Sequence, residues 1–113
     1  MTPIEQSFLR MLARNAEIYS SRASAIDGTA WLDREDPDSL VVAFTVADDP
    51  QPQNDIFGDA EKIYLRAHIT EITPYPGNPE ISFTCEPIVS ASGRKYWLGA
   101  VVCESPLRIY VDY

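Results

Sequence analysis

The sequence predicts an α+β domain in which one long amphipathic helix packs on a curved antiparallel sheet of about five or six strands. Two successive hydrophobic periods indicate this fold. Apolar residues recur every three or four positions up to residue 26, as in a helix, and every second position afterwards, as in strands. The 113 residues, 45% of them hydrophobic, suffice for one core but not for two. We therefore expect a single two-layer domain over residues 1–113.

The N-terminal helix is predicted over residues 3–26. Thr2, Pro3 and Glu5 are the residue types found at the N-cap, the first and the third position of a helix, where they form a capping box. Gly28 then marks the expected stop. The apolar residues between lie three or four apart and share one stripe: Ile4, Phe8, Met11, Leu12, Ala16, Tyr19, Ala23 and Ile26.

The antiparallel sheet is predicted over residues 29–112. Residues 29–33 and 39–47 alternate in polarity around an acidic turn and predict a hairpin. Residues 48–60 contain Pro, Asn, Asp and Gly and predict an acidic loop. A third strand is expected over residues 62–73, and a last strand follows Pro106. The buried side of the third strand is expected to carry Ile63, Leu65, Ala67 and Ile69.

A second hairpin is predicted around Ser92 and Gly93, which are typical of a two-residue turn between antiparallel strands. This turn pairs residues 81–91 with residues 94–104, Ala91 lying opposite Arg94. In that register one face is apolar throughout, and Trp97 lies directly opposite Ile88. The choice of register matters because a slip by one residue would move every side chain to the other face.

The two cysteines and the single histidine do not predict a metal centre or a catalytic site. The hairpin register places Cys85 and Cys103 on opposite faces of the sheet, so no disulfide is expected. The sequence lacks a CxxC pair, and the loop of residues 48–60 lacks the ligand spacing of an EF-hand. We interpret both cysteines as free thiols and His68 as a histidine of the sheet surface, and we expect no cofactor.

The negative charge is concentrated in one segment. The chain has a net charge of -8, yet residues 27–61 carry ten acids against one base, Arg34, which gives -9. Such a segment can attract a basic partner and imitate the phosphates of a nucleic acid, whereas it disfavours direct nucleic-acid binding. The alternative is that the acids merely keep the turns solvated. The candidate partner-binding acids are Asp36, Asp38, Asp48, Asp49, Asp55 and Asp59.

The face of the sheet that points away from the helix is predicted to be rich in aromatic residues and arginine, the types enriched at interfaces. This face is expected to carry Trp31, Val41, Tyr64, Arg66, His68, Ile72, Ile88, Trp97, Val101, Arg108 and Tyr110. The residues expected to contact a partner are Tyr64, Arg66, His68, Ile88, Trp97 and Tyr110. The alternatives are a homodimer interface, a platform for single-stranded nucleic acid, or a face covered by loops or by closure of the sheet into a near-barrel.

The patterns GxGxxG, Walker A, HExxH and GxSxG are absent from the sequence, so we do not expect an enzyme of a familiar class. The leading hypothesis is a small acidic protein-interaction module of the inhibitor, immunity or adaptor type. One alternative is a ligand-binding or enzymatic domain whose pocket uses Tyr19, His68, Cys85 or Tyr96. Another is a structural homo-oligomer such as a phage component. Because no signal peptide or membrane span is recognisable, a cytoplasmic protein is expected.

Overall fold

The computed structural model describes residues 1–20, 25–46, 61–73 and 80–113. These ranges contain one helix and nine strands. In chain order they are α1 (Pro3–Ala13), β1 (Glu17–Ser20), β2 (Ala25–Ile26), β3 (Gly28–Leu32), β4 (Ser39–Val46), β5 (Glu61–Ile72), β6 (Ile81–Cys85), β7 (Ile88–Val89), β8 (Lys95–Val102) and β9 (Arg108–Asp112).

The strands form two sheets. The five-stranded sheet has the order β2-β1-β9-β8-β7, and the four-stranded sheet has the order β3-β4-β5-β6. All the neighbouring strands are antiparallel except β1 and β9, which run parallel with Ile18 beside Ile109. The predicted α+β class is therefore confirmed. The prediction of a single curved sheet under a long helix was wrong, because the strands form two separate sheets and the helix is short.

The core lies between the inner faces of the two sheets. Phe44 of β4 meets Tyr96 of β8 edge to face, with 5.8 Å between the ring centroids. Leu65 on β5 and Ile109 on β9 are fully buried. The hydrophobic layer that the sequence assigned to a helix on a sheet is thus built mainly from sheet on sheet.

The helix is shorter than predicted. The capping box is present: the amide of Glu5 donates to Oγ1 of Thr2 at 3.2 Å, and the amide of Thr2 donates to Oε1 of Glu5 at 2.9 Å. The helix ends at Ala13, however, so the predicted range 3–26 was wrong. The chain leaves the helix because the amide of Glu17 donates to the carbonyl of Leu107 at 2.7 Å and starts the parallel pairing with β9.

Helix α1 packs against β3, at the edge of the four-stranded sheet. It buries Leu9 and Leu12 in the core. Its N-terminal end is held by Asp38, which accepts a hydrogen bond from Nε2 of Gln6 at 3.0 Å and lies 3.3 Å from the ammonium group of Met1. These contacts fix the helix beside the turn that joins β3 to β4.

Gly28 lies at the corner where the chain passes from one sheet into the other. Strand β2 belongs to the five-stranded sheet and β3 to the four-stranded sheet, with only Asp27 between them. A Cβ atom on Gly28 would come within 2.4 Å of the carbonyl oxygen of Ala43. The glycine therefore permits a close approach of two strands, whereas the sequence interpretation made it the stop of a helix.

The first hairpin and the third strand are confirmed. Strands β3 and β4 pair with Ala30 beside Val42, and β4 pairs with β5 over its whole length. The predicted acidic loop of residues 48–60 lies outside the described residues. The four side chains expected on the buried side of the third strand are all buried: Ile63, Leu65, Ala67 and Ile69.

The second hairpin differs from the prediction in two ways. Residues 81–85 pair with β5 instead of β8, and of the first arm of the hairpin the short strand β7 is what pairs with β8, apart from an isolated bridge between Glu80 and Val102. The turn has three residues, because the amide of Ser90 donates to the carbonyl of Arg94 at 2.8 Å and Gly93 adopts φ 89°. The extra turn residue shifts the register by one, so Ile88 lies opposite Tyr96 rather than Trp97.

Candidate functional site

The candidate site is the outer face of the four-stranded sheet, which we call the β3–β5 face. It consists of the side chains that point away from the core on three adjacent strands. In one row Val41 lies between Trp31 and Arg66, and in the next row Ala43 lies between Thr29 and Tyr64. The face is defined by Thr29, Trp31, Ser39, Val41, Ala43, Tyr64, Arg66 and His68.

The floor of the β3–β5 face is apolar and shielded from water. Val41 is 8% exposed and Ala43 is 1% exposed, although both side chains point away from the core. On either side stand larger and more accessible groups, Trp31 at 41% and Tyr64 at 53% exposure. The result is a shallow trough along β4 with small residues at its bottom and aromatic residues along its sides.

Charged groups cross and border this trough. Nη1 of Arg66 lies 2.5 Å from Oδ2 of Asp33, which follows β3, so the ion pair spans the width of β4. Asp33 also accepts a hydrogen bond from the amide of Glu35, and this bond, followed by the guanidinium of Arg66, lowers the pKa of the Asp33 carboxyl. The ammonium group of Lys62 lies 5.7 Å from the ring centroid of Tyr64.

His68 lies at the end of the same face beside the acidic turn. Its Nδ1 is 4.0 Å from Oδ2 of Asp36, and that carboxylate accepts a hydrogen bond from Oγ of Ser39 at 2.7 Å. The His68 side chain is 53% exposed. This arrangement fits the sequence interpretation of His68 as a surface histidine, and it gives Asp36 a structural contact within its own turn.

The six residues that the sequence assigned to one face lie in three places. Tyr64, Arg66 and His68 come together on the β3–β5 face. Trp97 and Tyr110 lie on the outer face of the five-stranded sheet, on the opposite side of the core. Ile88 packs against the core, because the shifted hairpin register puts it beside the buried Tyr96. The prediction of one continuous aromatic face was therefore wrong.

Two further residues predicted on the outer face are buried, and a β-bulge explains each. The register of β5 against β6 shifts between Ile69 and Glu71, which turns Ile72 inward to 5% exposure. The register of β8 against β9 shifts between Leu98 and Ala100, which turns Val101 inward to 6% exposure. A bulge adds one residue to a strand and so reverses the alternation beyond it.

The outer face of the five-stranded sheet is occupied by contacts among its own side chains. Tyr110 stacks on Tyr19 with 5.6 Å between the ring centroids. The hydroxyl of Tyr19 donates to Glu17, and this hydrogen bond raises the pKa of Tyr19. Nη2 of Arg108 lies 3.5 Å from Oε2 of Glu104. The polar groups here are partnered, in contrast to the apolar floor of the β3–β5 face.

The acidic candidates divide into two groups. Asp36 and Asp38 are engaged in contacts within the chain, and the hydrogen bond from Gln6 lowers the pKa of Asp38. Both keep accessible carboxylate surface, with Asp36 at 50% and Asp38 at 33% side-chain exposure. The remaining acidic candidates lie outside the described residues: Asp48, Asp49, Asp55 and Asp59.

The alternative pocket of the sequence analysis is not assembled from the residues proposed for it. Tyr96 is buried between the sheets, whereas Tyr19 and His68 point away from the core on opposite sheets. Cys85 and Cys103 are free thiols. Among the residues that the structure describes, no group of three His, Cys, Asp or Glu side chains is arranged to hold a metal ion.

The structure also contains a cleft that the sequence analysis did not single out. It lies between α1 and β3, has a volume of about 540 Å³, and borders the β3–β5 face at Trp31. Arg10 and Arg14 line it from the helix and Arg34 from the turn after β3. The four-residue spacing of Arg10 and Arg14 signals one helix face, but nothing local in the sequence brings Arg34 beside them.

No family model matches the chain, and neither a curated protein nor a solved structure is similar to it. Within the part of the chain that the structure describes, no helix has the length and apolar character needed to cross a membrane. We therefore infer the function of the chain from the geometry of its described residues.

Proposed function

We propose that this chain is a small protein-interaction module and that it docks another protein on the β3–β5 face. The observation that supports this is the apolar character of β4 on both of its sides. Leu40, Val42 and Phe44 face the core, while Val41 and Ala43 form the floor of the outer trough. Strands that are apolar on both sides normally lie in sheets with both faces covered.

The composition of the face supports a protein partner. A solvated sheet face normally carries threonine, lysine and glutamate along its central strand. This face instead carries an aliphatic floor flanked by Trp31, Tyr64 and Arg66, the three residue types that contribute most often to binding energy at interfaces. Because the floor is already shielded, the hydrophobic gain on docking would come mainly from Trp31 and Tyr64, which are 41% and 53% exposed.

The charges around the trough favour a partner with a basic rim. Asp36, which is 50% exposed, stands at one end of β4, and Glu61 stands at the other. The acids of residues 48–60 add to this charge along the sequence. Such an arrangement would increase the rate of encounter with a basic protein, while the aromatic residues would hold the complex. This is the combination expected of an inhibitor, an immunity protein or an adaptor.

Site-specific photocrosslinking tests the proposal. A benzophenone amino acid at Tyr64 is expected to form a discrete adduct with a partner in cells that naturally express the protein. The matched control places the same amino acid at Trp97, which has a similar exposure of 36% but lies on the other sheet. A Trp31→Ala substitution should reduce the Tyr64 adduct and leave any Trp97 adduct unchanged.

Three results would replace the proposal. An adduct at Tyr64 with twice the mass of the chain would identify a second copy as the partner and support a homo-oligomer. Equal amounts of adduct from Tyr64 and from Trp97 would mean that a partner does not bind preferentially to the β3–β5 face. A thermal shift with metabolites, in the absence of any adduct, would favour the alternative of a ligand-binding or enzymatic domain.

A further inference from the structure

The cleft between α1 and β3 gathers three arginines around an aromatic ring. Arg10 and Arg14 come from the last turn and the C-cap of the helix, and Arg34 comes from the turn that follows β3. Trp31 also lines the cleft and is 41% exposed. The cleft volume of about 540 Å³ falls within the range of small-molecule sites, which runs from about 300 to 1,000 Å³.

The three arginines of this cleft belong to a chain dominated by acids. The sequence holds 17 acids against 9 lysines and arginines. In the described ranges, none of these three guanidinium groups lies within ion-pair distance of a carboxylate. The negative end of the helix dipole explains why arginines stand at positions 10 and 14. It does not explain the presence of Arg34, which belongs to a different element.

Two carboxylates also line the cleft, and they do not cancel its positive charge. Asp33 is paired with Arg66, which reaches it across β4. Glu35 remains as the single unpaired acid against three unpaired arginines. The cleft therefore has a local excess of positive charge, and it combines this charge with a carboxylate and an aromatic surface.

We propose that this cleft binds a free mononucleotide. The guanidinium groups fit phosphate oxygens, since Arg presents its donors in a planar fork that matches them. The indole of Trp31 provides a surface on which a base can stack. The Glu35 carboxylate can accept hydrogen bonds from ribose hydroxyls, a role that acidic residues fill in dinucleotide-binding folds. Each part of a nucleotide thus meets a group of matching chemistry.

A free nucleotide fits better than a nucleic-acid strand. A strand that extended beyond the cleft would approach Asp36 and Asp38 in the turn after β3, which keep accessible carboxylate surface. Each additional phosphate would add repulsion, whereas a single nucleotide can be contained between the three arginines. The cleft shares Trp31 with the β3–β5 face, but its arginines lie beside that face, so nucleotide binding can be measured without a docked partner.

Tryptophan fluorescence provides a direct test, because the chain has two tryptophans. A Trp97→Phe variant leaves Trp31 as the only one. Titration of this variant with AMP is expected to quench its fluorescence saturably. Adenosine alone and inorganic phosphate alone should each bind at least about tenfold more weakly, because each retains only part of the contacts.

Substitution of the arginines supplies the matched controls. In the Trp97→Phe background, Arg34→Ser should weaken AMP binding about tenfold, because one charge-assisted contact is lost. Lys95→Ser removes the same charge from β8, far from the cleft, and should leave the affinity unchanged. Both side chains are exposed, so far-UV circular dichroism should show that the fold is retained.

Three outcomes would overturn the proposal. One is the absence of saturable quenching by AMP. Another is an equal loss of affinity in Arg34→Ser and Lys95→Ser, which would indicate only a general charge effect. The third is binding of a single-stranded oligonucleotide without binding of AMP, which would assign the arginines to a strand. If AMP binds normally although no crosslink forms at Tyr64, the nucleotide site stands while the docking proposal fails.

Discussion

Arg66 and Asp33 form an ion pair across the outer face of β4, with 2.5 Å between Nη1 and Oδ2. The pair ties β5 to the segment that follows β3, and it passes over the strand between them. It also neutralises the acid that would otherwise offset the positive charge of the neighbouring cleft. The two candidate sites are therefore connected by one interaction.

The titration of Asp33 provides the first prediction. Its pKa is lowered mainly by the Glu35 amide and then by Arg66, so its carboxyl should titrate below the usual aspartate value of about 3.9. A lowered pKa in the folded state contributes stability above the unfolded value, and this stability is lost as the pH falls through the folded value. NMR titration should show that Arg66→Gln raises the midpoint only in part, because the amide contact remains.

Protonation of Asp33 should also contribute to the loss of stability of the protein in acid. Asp33→Asn removes the titrating group, so its melting temperature should fall less steeply than that of the unchanged protein when the pH drops below about 4. A suitable control is Glu71→Gln, because the Glu71 side chain is exposed on β5. An identical pH profile for Asp33→Asn and the unchanged protein would contradict the prediction.

Substitution of Gly28 and substitution of Gly93 should each destabilise the protein, but for different reasons. Gly28→Ala should reduce the free energy of unfolding by about 1–3 kcal/mol, because its Cβ would meet the backbone of Ala43. Gly93→Ala should cost about 1 kcal/mol, because φ is 89° although the space around it is open. Asparagine tolerates a positive φ, so Gly93→Asn should recover part of the loss, whereas Gly28→Asn should not. Urea denaturation measures all four variants.

The contact between the sheets should be sensitive to the size of one side chain. Phe44→Leu is expected to lower the free energy of unfolding by about 1–1.5 kcal/mol, because it removes the edge-to-face contact with Tyr96. Ile4→Ala provides a control at a helix position that is 83% exposed, and it should change stability by less than about 0.5 kcal/mol. Equal effects of the two substitutions would argue against this inter-sheet core.

The two thiols should differ in reactivity. Burial raises the pKa of Cys103, which is 2% exposed, whereas Cys85 is only partly buried. Because the thiolate is the reactive form, a disulfide reagent should label Cys85 in the native protein and Cys103 only after unfolding. Cys85→Ser should abolish the native reaction, and Cys103→Ser should preserve it. Rapid labelling of both thiols in the native state would contradict the buried position of Cys103.

The start of the helix was predicted correctly because its signals are local. Thr2, Pro3 and Glu5 act within one turn, so the start of the helix could be recognised. The end of the helix could not, since Tyr19 continues the helical spacing and also fits a strand. Its strand conformation depends on pairing with Tyr110, which no local pattern reveals.

The candidate site was predicted only in part, because local patterns place residues on one strand face but do not show which strands are neighbours. Tyr64, Arg66 and His68 alternate along one strand, and alternation suffices to place them on one face. Trp97 was assigned to that face because the sequence does not state which strands share a sheet. The cleft of Arg34 was missed because it depends on where the helix lies against β3, a packing relationship between distant segments.

The position of β9 has a consequence for how the molecule folds. This strand lies between β1 and β8, and Ile109 pairs with Ile18 from near the start of the chain. The five-stranded sheet therefore cannot close until residues 108–112 have been synthesised. During synthesis β1 therefore stays unpaired with β9 until the last strand has emerged. Refolding likewise requires two strands that are far apart in the sequence to pair. We expect folding on the slow, millisecond-to-second scale of proteins dominated by non-local strand pairing.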